Sequence, residues 1–196
     1  MANRYFLDKQ RNDVNYFNYY YYKNAFTDSE IDEICRLGES KEILSAVTGT
    51  NDKPTEYRVS DISWIEDDSE SAWLYDKIAR YADEANRIMW NFDIWGYHDS
   101  FQYTIYNGGE KGHYDWHVDC GPQMSNRKLS CVLQLTDPSE YTGGDLELNL
   151  GSYINKVEKG KGVLTFFPSF ILHRVSPLES GKRRSLVTWL CGANLR

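Results

Sequence analysis

The feature that most constrains the fold of this chain is a change of hydrophobic period near residue 93. Between residues 69 and 90 the apolar side chains Trp73, Leu74, Ile78, Tyr81, Ala82, Ala85, Ile88 and Met89 recur three or four apart, the spacing of one face of an α-helix. Beyond Asp93 that period gives way to short apolar or alternating runs at 101–106, 114–118, 129–135, 145–150, 162–167 and 185–191, separated by Gly, Pro and Asp. Such runs suit strands, whose side chains alternate between two faces. A helical front section followed by many short strands predicts a mainly β protein with flanking helices, a sandwich or jelly roll backed by the long helix.

Two earlier segments refine this picture. Residues 16–22, Tyr-Phe-Asn-Tyr-Tyr-Tyr-Tyr, suit a strand because rings pack well on a pleated, half-buried surface. Thr27-Asp28-Ser29-Glu30 reads as a capping box that opens a short helix to about Leu37, with Gly38 as its stop. There is no repeat, low-complexity linker or Pro/Gly/Ser-rich break, and 196 residues is short for two domains. A single domain over 1–196 is expected, with a front section at 1–99 and a motif-bearing core at 100–192.

Composition removes several classes of function. A hydrophobic fraction of 41% with 15% aromatic residues is that of a globular protein, not a disordered one. No apolar run approaches the roughly 20 residues of a membrane-spanning helix, and Met1-Ala2-Asn3-Arg4-Tyr5 lacks the apolar stretch of a secretory signal. Cys35, Cys120, Cys131 and Cys191 are scattered without a C-x-x-C pair, so reduced thiols in a soluble, cytoplasmic protein are expected. The net charge of -7 disfavours attraction to a phosphate backbone, and with it a nucleic-acid substrate.

The residues that carry chemistry lie in the second half. In a strand, residues two apart share a face, so His117 and Asp119 can converge on one ion. His113 and Asp115 form a second H-x-D, and spacing alone does not choose between them. The third ligand must come from a distant strand, and His173, after Phe166-Phe167-Pro168-Ser169-Phe170, is the best placed; the remaining histidine, His98, sits in a turn-like Gly96-Tyr97-His98-Asp99. Two imidazoles and one carboxylate can occupy one face of an octahedral Fe(II) and leave the other open for a co-substrate and dioxygen. Downstream of His173 come Arg183 and Ser185, a guanidinium fork and a hydroxyl suited to the far carboxylate of a dicarboxylate such as 2-oxoglutarate.

These residues resemble the 2-oxoglutarate/Fe(II) dioxygenases of the prolyl-hydroxylase type, particularly the bacterial PKHD-type hydroxylases. Gly112-His113-Tyr114-Asp115-Trp116-His117-Val118-Asp119 fits a G-x-Y-x-x-H-x-D pattern, with Tyr106 just upstream, and this selects His117 and Asp119. The segments 129–135, Asp137-Pro138-Ser139-Glu140-Tyr141 and Gly143-Gly144-Asp145-Leu146 resemble the stretch between the ligands. Phe167-Pro168-Ser169, His173-Arg174-Val175 and Gly181-Lys182-Arg183-Arg184-Ser185-Leu186 resemble the closing segment. The resemblance covers about residues 100–192.

The resemblance implies a double-stranded β-helix core, iron held by His117, Asp119 and His173, and 2-oxoglutarate held by Arg183. Dioxygen is the other co-substrate, and ascorbate is left open as an accessory reductant. The strand after H-x-D offers Leu133, Gln134 and Leu135 where some relatives have a tyrosine, so Tyr103, Tyr106 or Ser185 is expected to supply a hydroxyl to the far carboxylate. The carboxylate of Asp119 favours hydroxylation over halogenation. Peptidyl proline is the first substrate expected, a free amino acid or other small molecule the second. Tyr114 and Trp116 are expected to face away from the ligands, and Arg58 in Tyr57-Arg58-Val59 is a candidate for reading a polar group of the substrate. A non-oxidative cupin-like jelly roll would use more than the four histidines present. A silent binding module would leave the H-x-D and His173 as structural groups.

Overall fold

The computed structural model describes residues 18–46, 57–122 and 124–193. In chain order these form β1 (Tyr20–Tyr22), α1 (Asp28–Glu39), β2 (Leu44–Ser45), β3 (Arg58–Val59), β4 (Asp61–Ile65), α2 (Ala72–Met89), β5 (Ile94–Tyr97), β6 (Phe101–Asn107), β7 (His113–His117) and β8 (Arg127–Gln134). There follow β9 (Tyr141–Gly143), β10 (Leu146–Asn149), β11 (Ile154–Lys156), β12 (Leu164–Pro168), β13 (His173–Val175) and β14 (Leu178–Gly192).

The helices form where their signals lie. Thr27 Oγ1 accepts from the Glu30 amide at 3.3 Å while the Glu30 carboxylate accepts from the Thr27 amide at 2.8 Å, closing the capping box. Gly38 does not stop α1, which runs on to Glu39. The residue serves instead as a contact: an added Cβ would lie 2.3 Å from Cγ of Tyr103, so the missing side chain is what lets that ring pack on the helix. Helix α2 buries Leu74, Tyr75, Ile78, Ala82, Ala85 and Met89, while Ile88, at the edge of the stripe, is exposed.

Two antiparallel sheets face each other. The larger, nine-stranded among the described residues, runs β1-β12-β8-β14-β6-β4-β2 with β5 and β9 also paired to β14; the smaller runs β11-β10-β13-β7-β3. Alternation decides what each face of the large sheet meets. Phe101, Tyr103 and Ile105 of β6, Leu129, Cys131 and Leu133 of β8, and Leu164 and Phe166 of β12 pack with α1 and α2 in the main core. The intervening residues point at the small sheet. There Val132 and Phe167 join Leu146, Leu148, Val157 and Ile171 in a second apolar cluster. Beside it Gln102, Thr104, Tyr106 and Ser185 line a cavity of about 300 Å³. The result is a double-stranded β-helix with helices on its outer face.

Several strands depart from expectation. β14 begins at Leu178, because its polar first half pairs through the main chain with β9 and β6 and needs no apolar alternation. β2, β3, β9, β11 and β13, of two or three residues each, are too short to register as periodic runs, and β4 and β5 were not anticipated. Of the strand expected at 16–22, β1 covers Tyr20–Tyr22, and Tyr16 and Phe17 lie outside the described residues.

Candidate functional site

The cavity between the sheets is shaped first by an irregularity in β7. His117 pairs with His173 of β13 and Tyr114 pairs with Val175, so three steps on one strand match two on the other. The extra residue is a β-bulge, and it inverts the alternation. Tyr114 therefore shares a face with His117, their rings stacked at 3.5 Å between centroids, rather than facing away as strict alternation requires. Trp116 does face away, and carries the Arg174 guanidinium over its ring at 4.6 Å. Asp115 is exposed, and His113 does not line the cavity. Asp119 stands just past the end of β7, where its amide donates to the Ser169 carbonyl at 2.9 Å.

His117, Asp119 and His173 come together. One ligand atom of each lies within 4.8 Å of the others, a group that can hold a metal ion. His117 Nε2 is 3.7 Å from Asp119 Oδ1, and His173 Nε2 is 3.4 Å from Asp119 Oδ2. Each imidazole is oriented from behind: Nδ1 of His117 bonds the Asp115 carbonyl at 2.7 Å and Nδ1 of His173 bonds the Ile171 carbonyl at 2.8 Å. A carbonyl only accepts, so the proton sits on Nδ1 and the Nε2 lone pair is turned inward.

The electrostatics suit a cation. Burial, reinforced by the neighbouring His173, lowers the pKa of His117 to about 4, which leaves it neutral at pH 7. Burial opposes the charge of Asp119, but His173, His117 and the hydroxyl of Ser130 together outweigh it and hold the carboxyl well below the usual range. Burial likewise opposes protonation of His173, and the Asp119 carboxylate reverses the sign, raising it. Two buried nitrogen donors and a fixed carboxylate are a donor set that fits Fe(II).

Ser130 is a residue that spacing did not reveal. It sits on the inward face of β8, donating to Asp119 Oδ2 at 2.5 Å and lying 3.1 Å from Ser169 Oγ. Its role is to position Asp119. Ser130→Ala is expected to weaken Fe(II) binding by about tenfold or more, the usual effect of losing a group that orients a metal ligand. An anaerobic Fe(II) titration checks this, and unchanged affinity would remove Ser130 from that role.

At the other end of the cavity Arg183 is 1% exposed, the largest of the fully buried side chains. Its Nη2 donates to Gln134 Oε1 at 3.0 Å, while Nε and Nη1 have no hydrogen-bond partner, and neither does the nearby Tyr141 hydroxyl. Among the described residues no carboxylate lies within ion-pair distance of it. Unpartnered buried donors are costly, by about 1–3 kcal/mol each. A carboxylate seated against them would satisfy all three at once. Burial pushes the Tyr141 hydroxyl pKa up despite Arg183 beside it, so the phenol stays a donor. Gly144, at φ +61°, makes room for the arginine, since a Cβ there would stand 3.2 Å from Arg183 Cδ.

Of the hydroxyls expected beside Arg183, Tyr106 and Ser185 line the cavity, with the Tyr106 ring 5.3 Å from the guanidinium carbon. Tyr103 does not. It occupies the opposite face of β6, packs on Gly38 and donates to Glu39 at 3.2 Å, so it is corrected from the cavity to the core. Gln134 and Tyr141 stand where Tyr103 was expected. The signal for Tyr141 was available in its position just before Thr142-Gly143-Gly144, the turn whose open space receives Arg183.

The half of the chain that carries these residues is similar to known proteins. Residues 101–191 match the model of the 2OG-Fe(II) oxygenase superfamily. A PKHD-type hydroxylase of Colwellia psychrerythraea is 35% identical over 83 residues, 42% of this chain and 37% of that protein. One of a Synechococcus strain is 36% identical over 109 residues, 53% of this chain and 50% of that protein. The chain thus spans about half or less of the length of these curated relatives. Among solved structures, a prolyl hydroxylase of Trichoplax adhaerens, in complex with a hypoxia-inducible factor peptide fragment, superposes with a TM-score of 0.75 at 19% identity, covering 89% of this chain and 84% of that one. A Pseudomonas putida prolyl-4-hydroxylase gives 0.70 at 18% identity, covering 90% and 93%. At these identities the structural likeness speaks for the fold.

Proposed function

We propose, from the match of residues 101–191 to the 2OG-Fe(II) oxygenase superfamily, that this chain hydroxylates a C–H bond, with a prolyl residue of a peptide or protein as the acceptor. The family implies Fe(II), 2-oxoglutarate and dioxygen, which together supply an oxidising centre that inserts one oxygen atom into a C–H bond while 2-oxoglutarate is converted to succinate and carbon dioxide. His117, Asp119 and His173 would hold the metal through Nε2, a carboxylate oxygen and Nε2. Arg183 and the Tyr141 hydroxyl would hold the far carboxylate of 2-oxoglutarate, with Gln134 fixing the guanidinium from the side. The stacked Tyr114 ring limits the motion of His117 and walls the cavity. The apolar cluster of Val132, Leu146, Leu148 and Phe167 beneath His173 keeps that side of the site dry.

The observation that carries this reading is the pairing of two unsatisfied features in one cavity: a three-ligand cluster with inward lone pairs, and a buried arginine without an acid. The prolyl acceptor is supported by the names of the fold neighbours, one of them described with a peptide. A free amino acid is the second reading. The cytoplasm is the proposed location, in keeping with four cysteines present as free thiols; among the described residues no helix is long and apolar enough to cross a membrane. Incubation with Fe(II), 2-oxoglutarate and proline-rich peptides is expected to add the mass of one oxygen to a peptide and to release succinate in equal amount. Succinate without any oxidised peptide would redirect the search to small molecules, and no succinate at all would overturn the oxygenase reading.

A further inference from the structure

A second cation lines the same cavity and is not used by the reaction as described. Arg58, on the edge strand β3, is 7% exposed. Its Nε donates to Ser60 Oγ at 2.9 Å and its Nη2 to Gln102 Oε1 at 3.0 Å, both neutral acceptors. The guanidinium carbon stands 4.5 Å from the centroid of Tyr114, the ring that stacks on His117. Among the described residues no carboxylate lies within ion-pair distance of Arg58. The other arginine at this end, Arg127, is instead neutralised by Asp99 at 2.6 Å.

A buried guanidinium held only by neutral groups is an unfavourable way to fill space, because two neutral hydrogen bonds and a ring face offset only part of the cost of desolvating its charge. A methionine would pack against Tyr114 at less cost. The arrangement becomes favourable once an anion enters the cavity beside it.

That anion is not the one assigned to Arg183. On β6 the partner of Arg58 is Gln102, whereas Arg183 pairs with Tyr106. Four residues along a strand separate their Cα atoms by roughly 13 Å. The two arginines therefore serve different parts of the cavity, which the His-Asp-His cluster also lines.

We propose that Arg58, oriented by Gln102 and Ser60, binds a carboxylate of the acceptor molecule and so presents the neighbouring C–H bond to the metal cluster. This rests on the oxygenase reading above and specifies its substrate class: an acceptor with a negative charge close to the reacting carbon. A free amino acid supplies that group as its α-carboxylate, and a peptide supplies it as an acidic side chain next to the prolyl residue.

The test uses isosteric pairs. Binding of N-acetylproline against N-acetylprolinamide, and of acetyl-Pro-Glu-amide against acetyl-Pro-Gln-amide, is measured by calorimetry to the anaerobic 196-residue chain loaded with Fe(II) and 2-oxoglutarate. In the wild type at least one carboxylate member is expected to bind about tenfold or more tightly than its amide twin, the scale of one hydrogen-bonded charge. The first pair responding alone identifies a free-acid acceptor, and the second alone an acidic peptide. Arg58→Met should erase the preference and Arg58→Lys should keep part of it, with 2-oxoglutarate affinity little changed in both. The proposal is overturned if no pair is discriminated by the wild type, whether through equal binding or none, or if discrimination survives in Arg58→Met. Failure of the wild type to take up 2-oxoglutarate would instead strike the oxygenase reading, so the two failures are separable. Should Arg58→Met not fold, the wild-type pairs and Arg58→Lys still decide the matter.

Discussion

Arg183→Leu is expected to raise the dissociation constant for 2-oxoglutarate by about two orders of magnitude or more while leaving Fe(II) affinity near that of the wild type. Arg183 lies on β14 in the large sheet, whereas the two imidazoles lie on β7 and β13 of the small one, and among the described residues it has no hydrogen bond or ion pair with the three metal-binding candidates. What the substitution removes is a pair of free buried donors, Nε and Nη1. Hydrogen bonds to a charged group contribute about 1.5–3 kcal/mol each, so losing two costs on the order of a hundredfold in affinity or more. The Tyr141 hydroxyl would remain, unable alone to balance a carboxylate in a poorly hydrated site. Arg183→Lys should recover only part of the loss, because an ammonium cannot reproduce the planar fork. Calorimetric titration of 2-oxoglutarate in the presence of Fe(II) measures this. Affinity unchanged in the leucine variant would remove Arg183 from the role given to it.

His173→Ala is expected to have the larger effect, abolishing Fe(II) binding and with it all succinate formation. This residue is 5% exposed, and its Nε2 faces the Asp119 carboxylate at 3.4 Å. Removing the imidazole leaves two donors from one short segment, which cannot define a facial triad. It also leaves Asp119 without the neighbour that most favours its charge against burial, so the carboxylate itself becomes a poorer ligand. The direct readout is the anaerobic spectrum, since chelation of Fe(II) by 2-oxoglutarate should give a visible charge-transfer band in the wild type that is absent from the variant. A band of equal strength in His173→Ala would mean that the metal sits elsewhere. Taken together the two variants dissect the site: one loses the metal and everything that follows, the other keeps the metal and loses the co-substrate.

Much of the architecture was legible before any coordinates because it depends on local periodicity. The stripe along α2 and the Thr27 capping box specify helices by spacing and end chemistry alone, and the alternating runs after Asp93 specify strands for the same reason. Gly38 misled as a helix stop because its function is a contact with Tyr103, sixty-five residues away in sequence, and no local rule encodes that. The strands β3 and β13, only two and three residues long, carry Arg58 and His173 and were invisible as periodic elements.

Sequence by itself determined which residue types are present for the chemistry: an H-x-D that begins at the end of a strand, a remote histidine, and an arginine followed by a serine two positions on. Only the tertiary structure decided which of them face one another. The bulge in β7 turned Tyr114 onto His117, the alternation of β6 sent Tyr103 to the core and kept Gln102 and Tyr106 in the cavity, and the pairing of β8 with β14 brought Gln134 to Arg183. The physical reason is parity: in a sheet, one residue more or less moves every following side chain to the other face, and that count is set by pairing between distant strands rather than by the order of residues along one of them.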